Sequence, residues 1–157
     1  MSPVRLRPTT SGDLDWVLAA EGDAENRPYV TQWTRRQHQE TLDDADRSHC
    51  IVESLEDGRA VGYVIVAGLA PPCHDVELRR IVVTEKGRGF GRAALRLVKR
   101  LVLDDARTRR LWLDVRANNP RARSLYEAEG FVAEGTDREG LTVLSIVRAG
   151  TAAGTGT

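Results

Sequence analysis

One stretch of this sequence leaves the chain little freedom in how it folds. Residues 76–83 read as a strand, apolar throughout except around Glu77 to Arg80. The run Thr84-Glu85-Lys86-Gly87-Arg88-Gly89-Phe90-Gly91-Arg92 follows, with three glycines in it. Phe90, Ala93, Ala94, Leu97, Val98, Leu101 and Val102 then recur at the helical period. A strand that turns through glycines directly into a helix N-terminus makes an anion site. The first helical N–H groups have no partner within the helix, and the dipole adds partial positive charge. A side chain in place of the glycines would hold a phosphate off the backbone. Lys86, Gly87, Arg88, Gly89, Phe90, Gly91 and Arg92 are therefore expected to cradle a diphosphate.

Charge supports that expectation. The chain is neutral overall, but residues 1–75 hold 7 basic and 13 acidic side chains, whereas residues 76–123 hold 14 and 5. The basic block coincides with the glycine loop and suits a polyanionic cofactor. A neutral chain without a basic tail argues against a nucleic-acid platform. No apolar run approaches the ~20 residues of a membrane span, and the N-terminus lacks the apolar core of a signal peptide. Cys50 and Cys73 are too few for a disulfide framework, so free thiols in a cytoplasmic setting are expected. Length suits one domain, residues 1–148, with a small-residue tail at 149–157 expected to be disordered.

The remaining elements follow from local patterning. Residues 4–7 alternate as a strand, and Ser11-Gly12-Asp13 starts a helix with Leu14, Val17 and Leu18 on one face. Residues 21–28 read as a polar loop and 33–44 as a second helix. Strands at 47–55 and 59–69 flank an Asp57-Gly58 turn, and Pro71-Pro72 breaks the chain. After the central helix come a strand at 111–115 and a helix opened by Asn119-Pro120 and ended by Gly130. A hairpin closes the chain, 131–136 against 141–147 around a turn at 137–140. The implied fold is α/β: a mixed, mostly antiparallel sheet of about six or seven strands with helices on both faces.

Two cofactors fit the glycine loop. Gly89-Phe90-Gly91-Arg92-Ala93-Ala94 matches the dinucleotide pattern G-x-G-x-x-A, with Asp114 placed as a ribose-binding acid. Against a nicotinamide dinucleotide enzyme, the match lies in mid-chain behind a hairpin. Too little chain also follows Asp114 for further crossovers, at ~30 residues each. The next segment decides. Asn119, Ala122, Leu125, Tyr126, Gly130 and Phe131 fit N-x-x-A-x-x-L-Y-x-x-x-G-F, and Lys86, Gly89 and Gly91 fit R/Q-x-x-G-x-G one strand and one helix earlier. Together these motifs resemble the GNAT superfamily of acyl-CoA-dependent N-acetyltransferases. Lys86 departs from the usual Arg or Gln, keeping a donor but losing the planar fork.

The resemblance implies acetyl-CoA as cofactor. Its diphosphate would lie on the amides of residues 86–92, and its pantetheine arm would pair with the strand edge at Ile81, Val82 and Val83. Asn119 matches a position that contacts the arm; its plain alternative is an N-cap, and one residue can do both. Tyr126 matches the general acid that protonates the leaving thiolate, the alternative being a core tyrosine. Members of the family place a base near Glu77 or Asp75, which share a strand face. The alternative for either is a salt-bridged strand end beside Arg79 and Arg80. Tyr29 and Trp33 flank the helix where the family builds its acceptor pocket, with core packing the alternative.

Cys73-His74-Asp75 with Glu77 matches no established zinc spacing, so no metal is expected. His38 and His49 have no partners at catalytic spacing. The function expected is acetyl transfer to a primary amine by direct attack in a ternary complex. The acceptor is left open among protein N-termini, polyamines, aminoglycosides and small amines. The acidic N-terminal half is compatible with a cationic acceptor. A non-catalytic acyl-CoA-binding regulatory module is the other reading of the same fold, and an exposed sheet edge or the last hairpin leaves room for a homodimer.

Overall fold

Alternating and continuous apolar runs become strands, and periodic ones become helices, largely where the patterning puts them. The computed structural model describes residues 2–136 and 140–148. Strand β1 (Val4–Pro8) is followed by a 3-10 turn (Ser11–Asp13) and helices α1 (Leu14–Gly22) and α2 (Arg35–Leu42). Next come β2 (Arg47–Ser54), β3 (Ala60–Ala67), β4 (Asp75–Val83) and α3 (Phe90–Leu103). The chain then forms β5 (Arg110–Arg116), α4 (Pro120–Ala128), β6 (Val132–Thr136) and β7 (Leu141–Val147). The expected turn residues 137–139 and the tail at 149–157 lie outside the described residues.

The strands form one seven-stranded sheet in the order β1-β2-β3-β4-β5-β7-β6. Every neighbouring pair is antiparallel except β4 and β5. A doubly wound dinucleotide domain needs a parallel sheet, so that reading of Gly89 to Ala94 falls. The β4–β5 pairing is short: Asp75 meets Arg110, Val76 meets Leu111, Glu77 meets Trp112, and the pairing stops there. Beyond Glu77 the two strands diverge, leaving one edge of β4 without a strand partner.

A bulge in β4 shapes that edge. Ile65 of β3 pairs with Arg80 and Val66 with Leu78, which leaves Arg79 as the extra residue. Side chains before and after it therefore break alternation. Val76, Leu78, Ile81 and Val83 pack with α3 and α4 in one core, whereas Val82 joins Leu14, Val17, Ile51, Tyr63 and Ile65 under α1 and α2. The helices thus cover both faces, each over its own apolar cluster. Among the described residues no helix is long and apolar enough to cross a membrane, and Cys50 and Cys73 are both free.

One local reading needs correction. Residues 21 and 22 are helical rather than loop, and Glu21 is buried in α1 at 1% exposure. A lone carboxylate reads as surface, but here it meets buried partners from distant parts of the chain.

Candidate active site

The glycine loop closes one end of a cleft of ≈ 1000 Å³ between the diverging ends of β4 and β5. Gly87 and Gly89 sit at φ 76° and 78°, in the left-handed region that favours glycine, and Gly89 is the N-cap of α3. Arg59 holds the loop by a two-pronged contact to Glu85 at 2.7 and 2.8 Å. The Phe90 ring is buried, with the guanidiniums of Arg88 and Arg59 5.3 and 5.9 Å from its centroid. Ring burial keeps the loop in place while its amides stay at the cleft.

Backbone register decides which part of β4 faces the gap. Thr84 N–H donates to Val61 O at 2.9 Å. In an antiparallel ladder every second pair exchanges hydrogen bonds, so Tyr63 and Val82 form the next bonded pair. The Val82 backbone is therefore turned toward β3, and the backbone polar groups of Ile81 and Val83 are turned toward the cleft.

Of the residues expected to hold the cofactor, Ile81, Val83, Lys86, Gly87, Gly89, Phe90, Gly91, Arg92 and Asn119 line this cleft. Val82 and Arg88 do not; Arg88 turns to Glu85 at 3.3 Å. Asn119 caps α4, its Oδ1 accepting from Ala122 N–H at 3.2 Å, and it also lines the cleft, a placement compatible with both expected roles. Lys86 Nζ reaches back 2.5 Å to Asn26 Oδ1. Burial lowers the Lys86 pKa, and nearby Arg121 lowers it further. Asn26 is a functional candidate that patterning missed. Its Nδ2 donates to Ala20 O at 2.9 Å and Val83 O at 3.0 Å, latching the end of α1 to the end of β4. A single asparagine in a polar stretch carries no signal of such a role.

Tyr126 and Tyr29 line the cleft; Asp75, Glu77 and Trp33 do not. Tyr126 is 8% exposed and packs against the Phe131 ring, with centroids 6.0 Å apart. Its pKa is pushed up to about 12, first by burial and then by the negative charge of Asp114. Burial raises the Glu77 carboxyl as well; Arg79 at 3.6 Å opposes that, and Asp114 adds to it. Asp75 is exposed, with Arg110 at 3.7 Å. Asp114, read from the sequence only as a ribose ligand, lines the cleft and acts electrostatically on both Tyr126 and Glu77.

Behind the β4 wall lies a buried polar chain. Thr9 Oγ1 is 2.8 Å from His49 Nδ1, His49 Nε2 is 3.1 Å from His38 Nδ1, and His38 Nε2 is 2.7 Å from Glu21 Oε1. One proton per ring satisfies all three contacts when each group donates toward Glu21. Glu21 Oε2 accepts from Arg80 Nη1 at 2.6 Å and from the Tyr63 hydroxyl at 3.3 Å. Arg80 in turn stacks on Trp33, its guanidinium carbon 4.3 Å from the ring centroid. His38 and His49, without partners by sequence spacing, are thus linked through a carboxylate to a guanidinium on the cleft wall.

Residues 18–131 match the Acetyltransferase (GNAT) family. Comparison with curated proteins returns no match. The fold is similar to that of spermidine N-acetyltransferase from Vibrio cholerae, solved in complex with CoA and spermine. That likeness has a TM-score of 0.81 at 19% identity, over 94% of this chain and 96% of the other. A domain from Methanocaldococcus jannaschii is similar at TM-score 0.79 and 22% identity, over 94% and 100% of the two chains. Aminoglycoside acetyltransferase AAC(6')-Ib, solved with coenzyme A and kanamycin, is similar at TM-score 0.75 and 20% identity, over 92% and 95%. With the family match spanning most of the chain and the cleft geometry of β4, β5 and the glycine loop agreeing with it, the chain belongs to the GNAT family of acetyltransferases, with acetyl-CoA as its acyl donor.

Proposed function

We propose that this enzyme acetylates a primary amine by direct attack within a ternary complex, in the cleft between β4 and β5. The observation that carries this reading is the early end of the β4–β5 pairing at Glu77 and Trp112, beyond which Ile81 and Val83 turn their amides into a gap closed by the glycine loop. These features fit acetyl-CoA: loop amides of residues 86–92 for the diphosphate, and a free strand edge for the arm. Bound there, acetyl-CoA supplies an activated acetyl thioester and a thiolate leaving group.

The chain's own residues supply the proton transfers. The amine must lose a proton to attack, and the coupled carboxylates Glu77 and Asp114 serve as its acceptor, with Asp114 on the cleft wall. Asp75, exposed and beside Arg110, is the weaker candidate. Tyr126 stays protonated through neutral pH and donates its proton to the leaving sulfur. Cys50 and Cys73 do not line the cleft, in keeping with direct attack rather than a covalent acyl-enzyme.

Thermal unfolding with acetyl-CoA, CoA or NAD(H) tests the reading. A ligand at ~100 times its dissociation constant adds about 2.7 kcal/mol, a shift of several degrees. The expected result is a shift with acetyl-CoA, none with NAD(H), and free thiol released when an acceptor amine is added. Binding without transfer to any amine would favour the regulatory module. Ping-pong kinetics would overturn direct attack.

A further inference from the structure

Arginine supplies nearly all of the positive charge of this chain; Lys86 and Lys99 are its two lysines. Each ammonium sits on an oxygen at 2.5 Å, Lys99 on the backbone carbonyl of Glu129 and Lys86 on Oδ1 of Asn26. Lys99 does not line the cleft and ties α3 to the end of α4. Lys86 lines the cleft and keeps solvent exposure there.

Asn26 is 3% exposed, and its contacts leave the side chain one orientation. The two Nδ2 hydrogens go to Ala20 O at 2.9 Å and Val83 O at 3.0 Å. A flipped amide would set Oδ1 against both carbonyl oxygens, so Oδ1 faces Lys86. The backbone is fixed as well: Asn26 N–H donates to Asp23 O, and Asn26 O accepts from Tyr29 N–H, both at 2.9 Å. Lys86 therefore meets a rigid acceptor.

An exposed lysine ordinarily samples many rotamers, and its ammonium has three donors. One donates to Asn26. Among the described residues Lys86 makes no other hydrogen bond and no salt bridge. Asp23 and Glu25 act on it only at longer range, and Arg121 acts with the opposite sign. A neutral amide orients the ammonium without cancelling its charge. A carboxylate at position 26 would cancel it, and would have no hydrogen to give Ala20 O or Val83 O. The glycine-loop amides follow Lys86 directly in the chain.

Resting on the placement of acetyl-CoA given above, we propose that Asn26 is a positioning residue for the acyl donor: it holds the Lys86 ammonium at the glycine loop, where the remaining donors meet the cofactor diphosphate. Folding has already ordered Lys86, so that order is not lost again on binding. A compact ammonium suits the place, because its donors can reach an amide oxygen and a phosphate oxygen at once.

The test is a double-mutant cycle on acetyl-CoA dissociation constants, measured by calorimetric titration for the unaltered chain, Asn26→Ala, Lys86→Met and the double variant. Each single variant should weaken binding by about tenfold. The double variant should lose less than about threefold beyond Lys86→Met, because Asn26 then has nothing to position. Asn26→Ser, too short to reach Lys86, runs the same cycle where Asn26→Ala fails to fold. Labelling with 15N-lysine gives two side-chain signals, assigned through Lys86→Met. The Lys86 signal should show restricted motion without ligand, shift on adding acetyl-CoA, and become mobile when Asn26 is replaced. Losses that multiply in the double variant would make Asn26 a support of β4 alone and overturn the proposal. So would unchanged acetyl-CoA affinity in Lys86→Met, or a Lys86 signal equally mobile with and without Asn26. No acetyl-CoA binding by the unaltered chain is a separate result, which removes the underlying reading as well.

Discussion

Tyr126 shows how one side chain can meet two demands. Its ring fills the core beside Phe131, and its hydroxyl has no hydrogen-bond partner among the described residues. Both roles read from the sequence, core tyrosine and general acid, are compatible with that placement. Tyr126→Phe keeps the ring, so folding and acetyl-CoA affinity should hold while kcat falls by about 100-fold or more, measured by thiol release. An unchanged kcat would leave Tyr126 with packing alone. The carboxylates allow a second prediction. Asp114 raises the Glu77 pKa, so Asp114→Asn removes a negative neighbour and lowers it. The acid limb of the residual pH–rate profile should then move to lower pH. An unmoved limb would take Glu77 out of the proton path.

At the scale of elements, β4 sets the site through its register. The Arg79 bulge sends Ile81 and Val83 into the core under α3 and sends Arg80 and Val82 toward α1 and α2. Gly62 on β3 permits the close approach: a Cβ there would stand 2.4 Å from Val82 O. Gly62→Ala must push β3 from β4, at a cost of about 1–3 kcal/mol, and should weaken acetyl-CoA binding by moving the Ile81–Val83 edge. Gly89→Ala has open space around its Cβ, so its cost is the backbone alone, about 1–2 kcal/mol at φ 78°. Denaturant unfolding should rank the two variants this way. Loss of acetyl-CoA affinity in Gly89→Ala would tie the loop to the cofactor.

At the scale of the whole molecule, the Thr9–His49–His38–Glu21–Arg80 chain joins the residue just after β1 to β2, α2, α1 and β4. Burial, together with the positive charge of neighbouring groups, lowers the His49 pKa to about 4. The unfolded chain takes up this proton first, near pH 6.5, so the His49 contribution is complete above that pH. It is lost as pH falls toward 4, by about 3 kcal/mol. The unfolding midpoint should drop across that window, and His49→Gln should flatten the slope. A profile that is equally steep in the variant would place the titration elsewhere. Glu21→Ala should destabilise by about 3–5 kcal/mol, since it leaves buried Arg80 without its counter-charge.

The sequence by itself determined most of the elements, the glycine turn at the head of α3 and the family motifs, because these are local. Periodicity, Gly at positive φ and Asn-Pro at a helix start each act within a few residues. The places of Tyr126, Asn119 and most of the 86–92 loop on one cleft wall were therefore readable, because each follows from its own local element. Asn26, Asp114 on the cleft wall and the Glu21–histidine chain were not. Each depends on residues brought together across the sheet, such as Asn26 with Val83 or Arg116 with Thr31. The separation of β4 from β5, which opens the cleft, was decided only by tertiary structure: a strand's pattern sets which side chains face the core, but where its pairing stops depends on what packs on both sides of it.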